Sequence, residues 1–174
     1  MISAIDYLRE LYQTIHPQHV VEIGADTPMR IISYTSDLVR TFSVVDFKSA
    51  NDFKGGWWDM HERMLDIELR RVDGDARSLS QLVTNVDVLY AHCVPFSADE
   101  HGQDCQNSYE VEREVLRAAV AVAPHVVWFT PQDEVSAASL ATIAAERHLQ
   151  LAHSQVTYLD GKISDPVLEA YHLS

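Results

Sequence analysis

Short apolar runs alternate with amphipathic stretches along almost the whole chain. The runs lie at residues 20–23, 42–45, 67–72, 86–91 and 125–130. Continuous apolar runs of this length are typical of parallel strands that are buried on both faces of a sheet. Each run therefore predicts a strand of a buried parallel sheet.

The stretches between these runs show helical spacing of apolar residues. They predict a leading helix at residues 2–15 and further helices at 28–39, 57–65, 78–83, 108–123 and 134–148. Strands that alternate with helices indicate right-handed crossovers, and therefore a sheet with helices on both faces.

The end of the chain has a different pattern. Two extended segments, residues 149–159 and 167–173, flank the turn-forming pairs Asp160-Gly161 and Asp165-Pro166, which predicts an antiparallel hairpin. The predicted fold is therefore α/β: a doubly wound, mostly parallel seven-stranded sheet in a three-layer sandwich that ends in this hairpin. We expect residues 1–174 to form one domain, with residues 1–16 as a leading helix and 92–109 as a loop on the substrate side.

Charge and cysteine content exclude several classes of function. The net charge of −13 disfavours DNA and RNA, whose binding depends on Lys and Arg contacts to phosphates. No run approaches the roughly 20 apolar residues of a membrane span. With only two cysteines, Cys93 and Cys105, the chain fits a reducing compartment, and we expect a cytoplasmic protein. The sequence does not indicate an oligomeric state.

The strand, turn and helix between residues 19 and 39 indicate a ligand site. The first strand ends in Glu22-Ile23-Gly24, and Thr27-Pro28 then begins a helix. A turn of this kind presents free helix amides at the carboxyl edge of the sheet, where open α/β folds bind ligands.

Four motifs along the chain resemble those of the class I S-adenosylmethionine-dependent methyltransferases. They are Val21-Glu22-Ile23-Gly24, Asp46 at 22 positions after Gly24, Gly74-Asp75-Ala76, and the fourth strand with its end at His92. The resemblance covers most of the chain from His19 onward and includes the closing hairpin. It implies that S-adenosylmethionine is the cofactor, that Asp46 holds the ribose hydroxyls and that Asp75 meets the adenine.

The resemblance also gives the candidate site residues and shows one departure. Only one glycine remains in the loop after the first strand, which reads Gly24-Ala25-Asp26-Thr27-Pro28. Asp26 adds a carboxylate that could pair with the cofactor's ammonium group or repel its carboxylate. The predicted cofactor-binding residues are Glu22, Gly24, Ala25, Asp26, Asp46, Asp75, Ala76 and His92.

Simpler structural roles compete with several of these assignments. Strand-end acids such as Glu22 and Asp46 often cap a helix or face water, and Asp75 could simply begin the short helix after it. Adjacent aromatic residues such as Trp57 and Trp58 usually divide between core and surface, although either could cover an adenine.

The end of the fourth strand carries the candidate catalytic chemistry. His92 could act as a general base, because an imidazole titrates near neutral pH. His92, Cys93, His101 and Cys105 are zinc-ligand types, but their spacing matches no familiar zinc pattern, and we predict no metal.

Three functional hypotheses follow. The first is a methyltransferase-like protein that acts on a small molecule or a protein side chain, held by residues 92–109 and the leading helix. The second is an inactive relative with the same fold that serves as a binding or assembly protein. The third is a dinucleotide-binding oxidoreductase, although two of the three glycines of its fingerprint are missing.

Overall fold

The computed structural model describes residues 1–24, 28–47, 52, 55–92, 108–158 and 166–174. The strands are β1 (Ile2–Ser3), β2 (His19–Ile23), β3 (Thr41–Asp46), β4 (Glu68–Asp73), β5 (Val88–His92), β6 (His125–Thr130), β7 (Leu151–Thr157) and β8 (Val167–Leu173). The helices are α1 (Ala4–Ile15), α2 (Pro28–Thr35), α3 (Gly55–Met64), α4 (Leu79–Leu82), α5 (Ser108–Val122) and α6 (Glu134–Arg147). Single 3₁₀ turns at Ser36–Leu38 and Ala76–Ser78 extend two of the connections.

All of these strands belong to one sheet, in the order β1-β7-β8-β6-β5-β2-β3-β4. Neighbouring strands run parallel except at β8, which is antiparallel to both β6 and β7. This confirms the α/β fold with a mostly parallel sheet and an antiparallel hairpin at the end of the chain. The described sheet has eight strands, one more than the sequence indicates, because Ile2 and Ser3 pair with Val156 and Thr157.

Helices cover both faces of the sheet, and each face has its own core. On one face, Leu8 and Tyr12 of α1, Ile32 of α2 and Trp58 of α3 belong to one buried cluster with the sheet residue Tyr90. On the other face, Leu79 of α4, Leu116 of α5 and Leu140 of α6 pack with Leu89 and Trp128. Successive strand residues alternate between these two cores, which explains why the strands are apolar at almost every position.

Capping side chains set the first turns of helices α1 and α6. Ser3 accepts a hydrogen bond from the Asp6 amide at the start of α1, and Asp133 accepts from the amides of Val135 and Ser136 at the start of α6. Both predicted helices therefore form close to where the sequence pattern places them.

Candidate functional site

The order of the strands reverses beside β2. From β2 the chain proceeds outward through β3 and β4, whereas β5 returns to the other side of β2 and leads to β6. Such a reversal opens a crevice at the carboxyl ends of the strands, which is where open α/β sheets bind ligands. The ends of β2, β3, β4 and β5 therefore define the candidate site.

Gly24 forms the first turn of this site. Its φ of 62° lies in the left-handed region, which residues with a Cβ adopt at a cost. The Gly24 amide donates to the Val45 carbonyl of β3 at 3.0 Å, so the turn remains fixed to the sheet. The one motif glycine predicted in this loop is therefore explained by its positive φ. Because it has no side chain, the backbone itself faces the crevice at this point.

Glu22 precedes that glycine by two residues and is almost completely buried, with 2% of its surface exposed. It is in register with Tyr90 on β5, and the Tyr90 hydroxyl donates to the Glu22 carboxylate at 2.8 Å. A charged acceptor strengthens such a bond, and burial makes it costly to lose. Glu22 is therefore an inward-facing acid whose orientation is fixed by a phenol of the neighbouring strand.

A second phenol lies near this carboxylate. Tyr12 of α1 is fully buried, and its hydroxyl has no hydrogen-bond partner among the described residues. Burial raises the pKa of Tyr12 well above its usual value, and the nearby charge of Glu22 raises it further. Burial and the same charge also raise the pKa of Tyr90. We call Tyr12, Glu22 and Tyr90 the Glu22 cluster: two neutral phenols around one acid, with one hydroxyl unsatisfied within the described part of the chain.

Asp46 is the last residue of β3 and is half-buried. Its carboxylate accepts from the Phe47 amide at 2.8 Å, and its carbonyl accepts from the Gly74 amide at 2.9 Å. Strand alternation places Asp46 on the same face as Val44 and hence as Glu22, with which Val44 is in register. The structure thus brings both acids to one face of the sheet at its carboxyl edge.

Asp75 has partners of its own. It begins the 3₁₀ turn Ala76–Ser78 by accepting from the Arg77 amide at 2.9 Å, and it forms an ion pair with the Arg77 guanidinium. Burial raises the pKa of Asp75, but the hydrogen bonds and charge of Arg77 outweigh this and lower it overall. The alternative that Asp75 begins the next helical segment therefore describes its observed contacts.

The neighbours of Asp75 have structural explanations as well. Ala76 is the first residue of the 3₁₀ turn. A Cβ at Gly74 would lie 2.7 Å from the terminal methyls of Leu82, so glycine at this position allows α4 to pack closely.

The remaining predicted residues fall at the edges of what the structure describes. Ala25 and Asp26 lie outside the described residues. His92 is the last residue of β5, and its side chain is outside the described part of the chain, as are residues 93–107. Glu22, Gly24 and Asp46 thus lie near the carboxyl ends of β2 and β3, and Asp75 follows β4 beside Arg77. The assignment of a general base to His92 stays a prediction.

The phenols of the Glu22 cluster are absent from the site that the sequence predicts. The sequence pattern places Tyr12 on the apolar face of the leading helix and Tyr90 in the apolar run of the fourth strand. A signal for Tyr90 does exist, since Glu22 and Tyr90 occupy equivalent positions near the ends of two strands that form the predicted site. No comparable signal links Tyr12 to Glu22, because only tertiary packing brings α1 to β2.

A second buried carboxylate lies near the described end of the substrate-side segment. Glu112 of α5 is buried and accepts from Trp128 Nε1 and Ser136 Oγ, both at 2.9 Å. Tyr109 donates to Asp133 at 2.7 Å, so the first turns of α5 and α6 are joined. Burial raises the pKa of Glu112 more than the bonds from Trp128 and Ser136 lower it. This network anchors the chain where it returns from residues 93–107.

Metal binding and membrane insertion find no support in the described part of the chain. Among the described residues, no group of three or more His, Cys, Asp or Glu side chains is placed to hold a metal ion, and Cys93, His101 and Cys105 are not among them. Every helix in the described ranges is too short or too polar to cross a bilayer.

Comparison with solved structures finds this fold in several methyltransferases. The methyltransferase domain of bacterial CtHen1-CN matches with a TM-score of 0.68 at 10% identity, over 98% of this chain and 97% of that one. The chain has the fold of the class I S-adenosylmethionine-dependent methyltransferases. A methyltransferase from Pyrococcus furiosus matches with a TM-score of 0.66 at 12% identity, over 96% of this chain and 81% of that one. The N-methyltransferase NodS from Bradyrhizobium japonicum gives 0.62 at 15% identity, with 97% and 96% covered.

The sequence itself matches no protein-family model and none of the curated proteins with which it was compared. Identities of 10 to 15% carry the likeness as far as the methyltransferase fold. A shared fold does not fix the roles of individual residues, which depend on the contacts that this chain makes.

Proposed function

We propose that this methyltransferase-fold protein binds S-adenosylmethionine across Glu22, Gly24, Asp46 and Asp75, and transfers its methyl group to a small molecule or a protein side chain. One observation carries the proposal. Gly24 adopts a positive φ beside the point where the strand order reverses. It follows the buried acid Glu22 by two residues and is hydrogen-bonded to β3, which ends in the acid Asp46. A cationic, diol-containing ligand is what two acids on one face of this crevice would bind.

The hydroxyl of Tyr12 supports a ligand with polar groups at this place, since it has no partner in the described ranges. Buried hydroxyls in proteins nearly always have a partner, because leaving one unpaired costs about 1–3 kcal/mol. The ammonium and carboxylate of the cofactor's amino acid portion offer a donor or an acceptor to a phenol, and the ammonium complements Glu22. The donor set around Glu22 therefore fits the cofactor.

Asp46 and Asp75 differ in how well they fit. Asp46 is half-buried at the tip of its strand, a position from which a carboxylate can accept from two ribose hydroxyls. Asp75 already accepts from the side chain of Arg77. Contact with an adenine amino group would have to use its remaining acceptor capacity or displace Arg77.

When bound, S-adenosylmethionine supplies an electrophilic methyl group on a sulfonium. The chain's own residues then position the acceptor, and positioning accounts for much of the rate increase in such reactions. We assign acceptor binding to residues 92–109 and the leading helix. His92 would take a proton only if the acceptor's nucleophile arrives protonated.

Calorimetric titration with S-adenosylmethionine and with its demethylated product, S-adenosylhomocysteine, tests the binding step. Asp46→Ala should weaken both ligands by about tenfold or more, the value of a hydrogen bond to a charged acceptor. Asp66→Ala is the matched control, because Asp66 is an exposed aspartate that precedes β4 at the opposite edge of the sheet. Equal affinities for wild type and Asp46→Ala would remove the ribose assignment.

A variant of Arg77 separates the two roles of Asp75. Arg77→Ala releases the Asp75 carboxylate, whereas Asp75→Ala removes it. If Asp75 binds adenine, the first variant should keep or gain affinity and the second should lose it. Equal affinities in both variants would leave Asp75 with the turn alone.

Two further measurements address the rival hypotheses. Binding of reduced nicotinamide dinucleotide, followed by its fluorescence, would favour the oxidoreductase. Incubation with the cofactor carrying a radiolabelled methyl group, followed by separation of small molecules from protein, tests transfer itself. The assay uses cell extracts that contain both small-molecule and protein acceptors. If the protein binds the cofactor but neither fraction becomes labelled, the result would favour the inactive relative.

A further inference from the structure

Helices α2 and α3 share a serine–histidine contact that methyl transfer does not use. Ser33 Oγ of α2 lies 3.1 Å from His61 Nε2 of α3, and His61 Nδ1 lies 2.9 Å from the Trp57 carbonyl one turn earlier. A carbonyl oxygen can only accept, so Nδ1 carries the hydrogen of the neutral imidazole. The lone pair of Nε2 therefore faces Ser33, and the Ser33 hydroxyl is placed to donate to it.

This contact has the arrangement of an activated nucleophile. Such a site needs a hydroxyl within hydrogen-bond reach of a base, and a third group that orients the base. Ser33 supplies the hydroxyl, His61 the base, and the Trp57 carbonyl the orienting group. Because a carbonyl is uncharged, it stabilises a protonated imidazole less than the carboxylate of a Ser-His-Asp triad does. We therefore expect a reaction that is slower than that of a complete triad.

The exposure of the two partners suits a reaction with a molecule from solvent. His61 is only 6% exposed, so the base is held within the protein, whereas Ser33 is an exposed residue. The residues beside them, Ile32 and Trp58, are buried in the same core cluster and fix both helices. The nucleophile and its base are therefore held in place by rigid elements before any substrate arrives.

A second serine–histidine contact provides a natural comparison. Ser43 Oγ lies 2.7 Å from His19 Nε2, and His19 Nδ1 lies 3.1 Å from the Thr84 carbonyl. The hydrogen bonds are equivalent, but Ser43 is only 1% exposed and His19 only 7%. A reagent in solvent does not reach Ser43. The comparison therefore separates a serine that is only hydrogen-bonded to histidine from Ser33, which is also accessible.

Trp57 indicates which substrates suit this pair. Its side chain belongs to a residue that is 59% exposed, and its ring centroid lies 6.3 Å from that of the His61 imidazole. An exposed indole beside the pair offers a flat surface on which an aromatic leaving group can stack. We propose that Ser33 and His61 form a nucleophile–base pair that takes an acyl group from aryl esters, an activity separate from methyl transfer.

The reaction needs only the pair and the ester. Ser33 Oγ forms a bond to the carbonyl carbon of the ester while the hydroxyl proton passes to His61 Nε2. The bond between that carbon and the phenolic oxygen then breaks, and the phenol leaves with the proton from His61. The products are acylated Ser33, a phenol and a neutral imidazole. A positioned general base typically accelerates such a step by about 10²–10⁴-fold.

Acetylation by p-nitrophenyl acetate tests the proposal on the intact chain. Release of p-nitrophenol gives the overall rate, and peptide mass spectrometry gives the rate at each serine. We expect Ser33 to be acetylated about 100-fold or more faster than Ser80, an exposed serine of α4, and Ser43 to remain unmodified. Equal rates at Ser33 and Ser80 would mean that the contact with His61 only joins two helices, and the proposal would be wrong.

His61→Gln separates a base from a hydrogen-bond partner. The glutamine oxygen can still accept from Ser33, but it does not take up a proton. Acetylation of Ser33 should therefore fall by about 100-fold or more in this variant. His148→Gln, a change at an exposed histidine, is the control and should react like wild type. An unchanged rate in His61→Gln, with the fold verified by circular dichroism, would overturn the proposal.

Trp57→Ala tests the assignment of aryl esters. The variant keeps the backbone carbonyl that orients His61 and removes only the ring. Acetylation of Ser33 by p-nitrophenyl acetate should become about two- to tenfold slower, the value of one aromatic contact. An unchanged rate would overturn the aryl ester assignment. The comparison of Ser33 with Ser80 in wild type remains decisive even if a variant fails to fold.

Discussion

The Tyr90 hydroxyl donates a 2.8 Å hydrogen bond to the Glu22 carboxylate from the adjacent strand. Both residues are buried, and they are in register on β5 and β2, the two strands between which the sheet changes direction. The bond therefore fixes an acid in the floor of the proposed cofactor site. Its removal should affect both stability and ligand binding.

Tyr90→Phe removes only this hydroxyl, since the ring can keep its edge-to-face contact with Phe42 at 6.1 Å. We expect the free energy of unfolding to fall by about 1–3 kcal/mol, the cost of depriving a buried acceptor of a partner. Urea titration measures this loss. Tyr34→Phe, a change at an exposed tyrosine, is the control and should alter stability little.

The same variant has a ligand signature that a loss of stability alone would not produce. If the Glu22 cluster contacts the amino acid portion of the cofactor, Tyr90→Phe should weaken S-adenosylhomocysteine but leave methylthioadenosine, which lacks that portion, unchanged. Parallel losses for the two ligands would assign Tyr90 to the fold alone.

Gly24→Ala and Gly56→Ala should have opposite effects. Gly24 has a φ of 62°, so an added Cβ strains the backbone by about 1–2 kcal/mol and should lower stability. Gly56 lies in α3 with open space where a Cβ would be added, so alanine should raise stability by about 0.5–1 kcal/mol. Thermal or chemical unfolding of both variants checks the signs. A gain in stability for Gly24→Ala would contradict the assigned turn.

The strands were the most predictable part of this fold. The run at residues 20–23 lies in β2, His19–Ile23, because a strand buried on both faces needs apolar side chains at nearly every position. The pairing of Ile2 with Val156 could not be predicted, since it joins two residues per strand from opposite ends of the chain.

The site was predictable only in part, for a related reason. Gly24 and Asp46 follow directly from strand ends, and parallel strands end at one edge of the sheet. The Tyr12 phenol comes close to Glu22 through helix packing, which one-dimensional spacing does not encode. The role of Asp75 could not be predicted. It depends on whether the Arg77 side chain folds back onto the Asp75 carboxylate, and the sequence permits both a ligand contact and a helix start.

Glu112→Gln should change how stability depends on pH. Burial raises the pKa of Glu112 in the folded chain above its unfolded value. Folded wild type therefore holds the proton more tightly, and its stability falls as pH rises from the unfolded pKa through the folded pKa. Glutamine does not titrate and can still accept from Trp128, so the variant should gain stability relative to wild type across that window. Urea titrations at several pH values measure the difference.

The control for this experiment is Glu114→Gln, two residues along the same helix. Glu114 is half-exposed, and its carboxylate lies 3.7 Å from the Arg77 guanidinium, a surface pair of small energetic value. Its difference from wild type should stay within about 0.5 kcal/mol. A Glu112→Gln difference that is equally flat with pH would mean that the buried carboxylate is ionised at the same pH as in the unfolded chain.

His172→Gln should reduce the loss of stability in mild acid. His125 Nδ1 and His172 Nε2 lie 3.1 Å apart, so one ring must accept from the other. Burial lowers the pKa of His172, and the neighbouring His125 lowers it further. The unfolded histidine binds a proton below about pH 6.5, whereas folded His172 resists it. The stabilisation that neutral His172 contributes is therefore fully present above the unfolded pKa, and it is lost as pH falls through the folded pKa.

Urea midpoints between about pH 5 and 7 should fall less steeply in the His172→Gln variant than in wild type. Identical slopes would show that the pair accepts the proton without cost, for example by separating the two rings.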